Sequence, residues 1–176
     1  YYLYKTIDNK SLGLKDSLKE LNDMCFTSDK KVYILDSGNS RIIVLDKDWK
    51  FLRSIENIKD IKTNEEYDFT GAGGITVSNE GIIYIADTKN QRILVINSDD
   101  KVERVINKPQ TSLLDEEISC NFTKVMTDKQ GRIYAIAEDV NIGILVFSRD
   151  GEFITFYGGN KVDVTLETIR KYFMRN

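Results

Sequence analysis

The chain has 176 residues, 41% hydrophobic and 30% charged, with a mean hydropathy of -0.35; this is enough for a sizeable core and is the balance of a globular protein rather than a disordered one. No window holds the ~18 apolar residues that a membrane-crossing helix needs, and a net charge of -3 with a pI near 5.2 lends no global support to gripping a phosphate backbone. Histidine is absent, which removes Ser-His-Asp and Cys-His catalysis, histidine-bound zinc and the usual neutral-pH proton shuttle.

In chain order, residues 2–8 (YLYKTID) predict one strand followed by a linker. Four short apolar runs follow, at Asp23 to Ser28, Lys31 to Asp36, Arg41 to Asp46 and Lys50 to Ile55. Cys25 falls in the first of them and reads as a small apolar residue. It and Cys120 are too few for a disulfide framework and match no metal spacing. The same four runs recur at Gly74 to Ser78, Ile82 to Ala86, Arg92 to Asn97 and Lys101 to Ile106, separated by the turn-rich NEG, DTKNQ and SDD. Tyr33 and Tyr84, Asp36 and Asp87, Asn39 and Asn90, and Arg41 and Arg92 all stand 51 residues apart.

A third copy occupies Phe122 to Thr127, Arg132 to Ile136, Ile144 to Ser148 and Glu152 to Tyr157, with Tyr134 in step with Tyr84. Its turn signature has gone: Ala137, Glu138 and Asp139 stand about the aspartate's place and Gly143 replaces the arginine. The repeats therefore span about 21–56, 73–107 and 122–158. Beyond them the apolar period changes, and Val162, Leu166, Ile169 and Phe173 fall on one stripe, predicting a short amphipathic helix over 163–175 with Asp163 as its cap.

A period of ~50 residues holding four Val-, Ile-, Tyr- and Phe-rich runs per copy describes an all-β chain of four-stranded antiparallel blades packed face to face. In that frame Asp36, Asn39 and Arg41, with Asp87, Asn90 and Arg92, occupy the turn between the second and third strands of a blade. There an acidic side chain can close the turn, an asparagine can take positive φ and an arginine can fork onto carboxylate or carbonyls. Gly38 is expected at positive φ too. Gly73 and Gly74 sit in a glycine-rich run that lacks the Lys-Ser/Thr of a phosphate loop, and are expected to let an inner strand crowd the blade axis. Glu65 and Glu66, and Asp115, Glu116 and Glu117, read as solvated charges in the connections between blades. The sequons at Asn9 and Asn121 matter only where the chain meets glycosylating machinery.

The stretches ILDSGNSRIIVLDKDWKFLRSI and GIIYIADTKNQRILVI resemble NHL repeats, a propeller module of the type YVADTxNxRIxVF. The third copy keeps GRIYAIA and GILVF but departs from that type at the turn, and Asp23 stands where the family often has glycine. The resemblance covers about residues 21–159. It implies blades of a six-bladed type of propeller, so three repeats would be a partial ring, either the first half of a longer propeller or one that a second copy of the chain completes through its open edges. It carries little about activity. The expectation is a non-catalytic binding or scaffold module for a protein, peptide or glycan, outside the cytoplasm or at the cell surface. No cofactor, metal site, nucleic-acid partner or membrane insertion is expected. The resemblance leaves open a calcium-dependent hydrolase of the gluconolactonase-like type, with Glu, Asn and Asp ligands drawn from separate blades.

Overall fold

The alternation of the apolar runs puts one set of side chains on each face of each sheet, and both faces of the central strands are covered in the first two copies. In the computed structural model, which describes residues 6–158, the first sheet is β1 (Leu21–Phe26), β2 (Val32–Asp36), β3 (Arg41–Leu45) and β4 (Phe51–Ile55), antiparallel and in sequence order. After β5 (Lys59–Asp60), the second is β6 (Gly74–Val77), β7 (Ile83–Asp87), β8 (Arg92–Ile96) and β9 (Lys101–Asn107). The third is β10 (Phe122–Thr127), β11 (Ile133–Ala137), β12 (Ile144–Phe147) and β13 (Phe153–Tyr157). The chain is all-β, in blades of four antiparallel strands.

Registers repeat with the sequence. Tyr33 lies opposite Val44, Tyr84 opposite Val95 and Tyr134 opposite Val146. The pairing of the two outer strands slips by a residue at Val44/Leu45, Val95/Ile96 and Val146/Phe147, one bulge in the same place in every blade. Such a bulge adds local twist. The outer hairpins share a turn as well: Asp46 Oδ1 accepts from the N–H groups of Asp48 and Lys50, and Asn97 Oδ1 from those of Asp99 and Lys101. Ser148 Oγ does the same for Asp150 and Glu152.

Between the first and second blades Tyr33, Leu35, Ile42 and Val44 pack against Ile75, Ile83, Ile85, Leu94 and Ile96, with Ile58, Phe69 and Ala72 of the connection filling the rim. Between the second and third, Tyr84, Ala86, Ile93 and Val95 meet Phe122, Val125, Ile133, Ala135, Leu145 and Phe147. Each buried aliphatic side chain contributes about 1.5 to 3 kcal/mol on transfer from water.

Three features were not read from the sequence pattern. β5 pairs parallel to β9 through Lys59–Lys101 and Asp60–Val102, adding a fifth strand outside the second blade; this covers an edge that would otherwise offer unpaired backbone groups. Residues 6–8, the described part of the strand expected over 2–8, form no strand. Instead Ile7, Leu12, Leu14 and Leu18 lie on Val32, Ile43 and Leu45 and cover part of the first blade's leading face. A second copy closing the ring there would have to displace this segment. The helix expected over 163–175 lies outside the described residues.

The connection before the third blade folds around a lysine. Lys108 Nζ donates to the carbonyls of Asp115, Glu116 and Ile118 at 2.8, 2.7 and 2.6 Å, while the side chains of Asp115, Glu116 and Glu117 face solvent.

Asp46 and Asn97 make the same turn with and without a titrating group. The N–H of Lys50, with that of Asp48, holds the Asp46 carboxyl below its usual 3.8. A depressed carboxyl contributes stability that is present above the unfolded value and lost as pH falls through the folded one. Asp46→Asn keeps the acceptor oxygen, so its stability should fall less steeply than that of the parent below pH 3.8 and match it near neutrality. Urea melts across pH 2.5 to 7 would read this difference.

Candidate functional site

The turns between second and third strands, and the connections that enter each blade, gather at one end of the blades. Asp36 ends β2 and Asp87 ends β7, both fully buried. In each case a single tight helical turn follows, Ser37–Asn39 or Thr88–Asn90. Arg41 Nε donates to Asp36 Oδ2 at 2.7 Å, and Arg92 Nε to Asp87 Oδ2 at 2.7 Å. Asn39 Nδ2 donates to Asp36 Oδ2 at 2.9 Å, and Asn90 Nδ2 to both oxygens of Asp87 at 3.0 Å.

The same side chains reach back to the entering segment. Asn39 Nδ2 donates to the Ser17 carbonyl at 2.8 Å and Arg41 Nη2 to that of Asp16 at 3.2 Å. In the second blade Arg92 Nη2 donates to the Asp68 carbonyl at 3.1 Å, and its guanidinium lies 4.7 Å from the centre of the Tyr67 ring. These side chains thus clamp the entering chain onto the blade. Burial pushes the Asp87 carboxyl up, and the hydrogen bonds from Arg92 and Asn90 bring it only part of the way back.

The geometry corrects two local expectations. Positive φ falls at Ser40 (48°) and Gln91 (54°), the residues after the asparagines, whose own role is the side-chain bond to the aspartate. Gly38 is not at positive φ; a Cβ there would lie 2.7 Å from the Lys19 carbonyl oxygen, so the constraint is close approach.

Gly73 and Gly74 lie where the inner strands converge. A Cβ on Gly74 would sit 2.7 Å from the Thr123 carbonyl oxygen, and one on Gly73 would sit 2.7 Å from Thr88 Oγ1. The bare Gly74 leaves room for a link between the first and third blades that the sequence pattern does not announce. Lys124 Nζ stands 3.1 Å from Asp23 Oδ1, while Asp23 Oδ2 accepts from the Ile75 N–H at 3.0 Å. Asn22 Nδ2 adds a bond to the Ala72 carbonyl at 2.8 Å, and Thr88 Oγ1 one to that of Phe122 at 2.7 Å. Asp23, Gly74 and Lys124 pair with Leu35, Ala86 and Ile136, the same place in each blade; their spacing of 51 and 50 residues was the available signal.

The third blade has no arginine clamp. Asn121 Nδ2 donates to Asp139 Oδ2 at 2.9 Å, the Glu138 N–H reaches the Asn121 carbonyl, and Val140 is buried in place of a polar lock. Both thiols are free, and burial pushes Cys25 and Cys120 up to about 11. Among the described residues no group of three or more Cys, Asp or Glu side chains is placed to hold a metal.

A family model described as the NHL repeat matches residues 69–96, the entering segment, the clamp and the strands on either side of it. The second blade is an NHL repeat. Among solved structures, virginiamycin B lyase from Staphylococcus aureus, in a catalytically inactive histidine-to-alanine variant with quinupristin, superposes with a TM-score of 0.57 at 17% identity over 80% of this chain and 42% of that one. A streptogramin B lyase gives 0.53 at 14% identity over 74% and 38%. The hydrazine synthase of Kuenenia stuttgartiensis gives 0.56 at 11% over 90% and 40%. At these identities the likeness is one of fold, that of a β-propeller, and the chain spans about two-fifths of each of these proteins. No curated protein matches the sequence. The arginine and asparagine bonds of the NHL turn in the second blade recur in the first, where Asn39 reaches one oxygen of Asp36 and the Lys19 N–H takes the other at 2.7 Å.

Arg41 is more deeply buried than Arg92, whose side chain is 21% exposed. Removing one partner of a buried pair strands the other, so Arg41→Ala should cost about 3 to 5 kcal/mol and Arg92→Ala about 1 to 3 kcal/mol. Chemical denaturation of the two variants tests the order; a melting temperature unchanged in Arg92→Ala, with a binding defect, would make the clamp a ligand site. Gly74→Ala forces its methyl onto the Thr123 carbonyl and should lose about 1 to 3 kcal/mol, whereas Gly81→Ala, where a Cβ meets nothing within 4 Å, carries only the strain of positive φ. Comparing their thermal midpoints separates crowding from backbone conformation.

Proposed function

We propose that this chain supplies three blades of a non-catalytic β-propeller binding module, placed outside the cytoplasm, which recognises a protein, peptide or glycan. The recognising surface is the end of the blades where turns and entering segments gather. One observation carries the reading: the reactive groups at that end are already engaged in holding the fold. Asp36 and Asp87 are bound by arginine and asparagine, and Asp23 by Lys124. The buried thiols stay protonated at neutral pH, and the chain has no histidine.

The calcium-dependent hydrolase fits these blades less well. Calcium takes six to eight oxygen ligands, and the three equivalent axial positions offer one carboxylate, one glycine and one ammonium. The ammonium of Lys124 already holds the carboxylate of Asp23 and opposes a second cation beside it. The lyase variant described above has lost a histidine and is inactive; this chain carries none with which to repeat such chemistry.

Calorimetric titration with calcium chloride, run beside a lactone-hydrolysis assay and screening on peptide and glycan arrays, tests the reading. The expected outcome is no saturable calcium heat, no turnover and retention on one array class. Saturable calcium binding that switches on lactone hydrolysis would overturn it.

A further inference from the structure

The connection before the second blade spends Lys59 and Asp60 on sealing the edge of β9, whereas the connection before the third, residues 108–121, forms no strand. Instead Pro109, Gln110, Thr111, Ser112, Leu114 and Glu116, with Lys108, line a cavity of about 600 Å³. That volume is in the range of small-molecule sites. The cavity lies at the end of the blades that carries the clamps, because Asn107, the last residue of β9, pairs with Arg92. Gln91 Oε1, beside that arginine, accepts from the Cys120 N–H at the far end of the loop.

The loop is held in shape before any ligand arrives. Lys108 Nζ, bonded to the carbonyls of Asp115, Glu116 and Ile118, ties the start of the loop to its close. Pro109, the one proline of the chain, is buried and has its φ fixed by its own ring. Leu114 is rooted in the core between the second and third blades, and with Pro109 it gives the cavity an apolar floor. A site built in advance loses less on binding than a loop that must order around its ligand. The walls are polar and, unlike the clamps, uncommitted. The side chains of Gln110, Ser112 and Glu116 are exposed and bond to no side chain among the described residues. Thr111 Oγ1 accepts from the Leu113 N–H at 3.3 Å and keeps its own proton to donate.

Charge narrows the ligand. The Lys108 ammonium is spent on three carbonyls, so Glu116, with Asp115 and Glu117 beside it in the chain, leaves the cavity negative and repels anions. We propose that this cavity binds one ring of a neutral sugar, with the C–H face of the ring on Pro109 and Leu114 and its hydroxyls bonded by Gln110, Thr111, Ser112 and Glu116. The inference rests on the binding role proposed above and names a glycan as its ligand. An amide, two hydroxyls and a carboxylate over an apolar floor match a ring that carries donors and acceptors around its rim and C–H groups on its face. Neighbouring ring hydroxyls can donate one proton to each oxygen of the carboxylate, and such bonds to a charged acceptor are the strong ones. Successive N–H groups of an extended peptide point to opposite sides and do not reproduce that pairing.

Titration of the isotopically labelled full chain, followed by amide NMR, tests this with the methyl glycosides of glucose, galactose, mannose and N-acetylglucosamine, and separately with glucuronic acid. At least one neutral glycoside should give saturable shifts in the amides of the 108–121 loop, and glucuronic acid should give none. Glu116→Gln should weaken that binding at least about tenfold, while Glu117→Gln, whose side chain does not line the cavity, should leave it within about twofold. Both carboxylates are exposed, so neither variant disturbs the core. Saturation by none of the four glycosides, shifts confined to other parts of the chain, or an equal loss in the two variants would overturn the proposal. A peptide or glycan retained on the arrays equally by the parent and Glu116→Gln would overturn it and leave the binding role standing, whereas no retention of any kind would overturn both.

Discussion

A four-stranded sheet with aliphatic side chains on both faces cannot bury itself, and the rest of this structure follows from that constraint. Ile83 and Ile85 face the first blade, while Tyr84 and Ala86 face the third. Only blades stacked face to face satisfy both sets. Stacking in turn brings β1, β6 and β10 together at their inner edges, where the backbones approach so closely that Gly74 has no room for a Cβ. The outer edges meet different conditions and are handled by polar means, with β5 paired along β9 and arginines reaching from one blade to the next.

Apolar stacking is not directional, so it fixes neither the angle of entry of each connection nor the stagger between blades. The buried carboxylates supply that direction. Taking Asp36 and Asp87 out of water is costly, and Asp87 shows the cost in its raised proton affinity. Each is offset by an arginine and an asparagine whose remaining donors are aimed at the carbonyls of the entering segment. The third blade reaches a similar shape with a burial, Val140, and a single amide-to-carboxylate bond from Asn121 to Asp139. The clamp is thus one solution among several to a positional problem, and its loss from the third copy leaves the sheet intact.

The same economy bears on function. Groups that would attract attention as catalysts in isolation, such as a buried aspartate near arginine, a buried thiol or an axial Asp-Lys pair, have their chemistry spent on positioning. What remains at that end is a polar surface of exposed side chains, among them Lys19, Glu20, Lys89 and Glu138, presented on a rigid scaffold. The binding role proposed above would use this surface, through shape and hydrogen bonding.

The amino-acid sequence by itself determined the strands, their order within each blade and the face each side chain takes, because two-residue alternation and turn chemistry are local and repeat every 51 residues. It also determined which three side chains build each clamp, since aspartate, asparagine and arginine within six residues can meet only in a tight turn. Only the tertiary structure decided that the left-handed residues are Ser40 and Gln91, because that depends on how the helical turn hands over to the next strand. It alone joined Asp23 to Lys124, two repeats away, laid β5 on β9 and spread Leu12 over the first blade. These contacts follow from the distance and angle between neighbouring sheets, and an apolar pattern says which face must be covered without saying what will cover it.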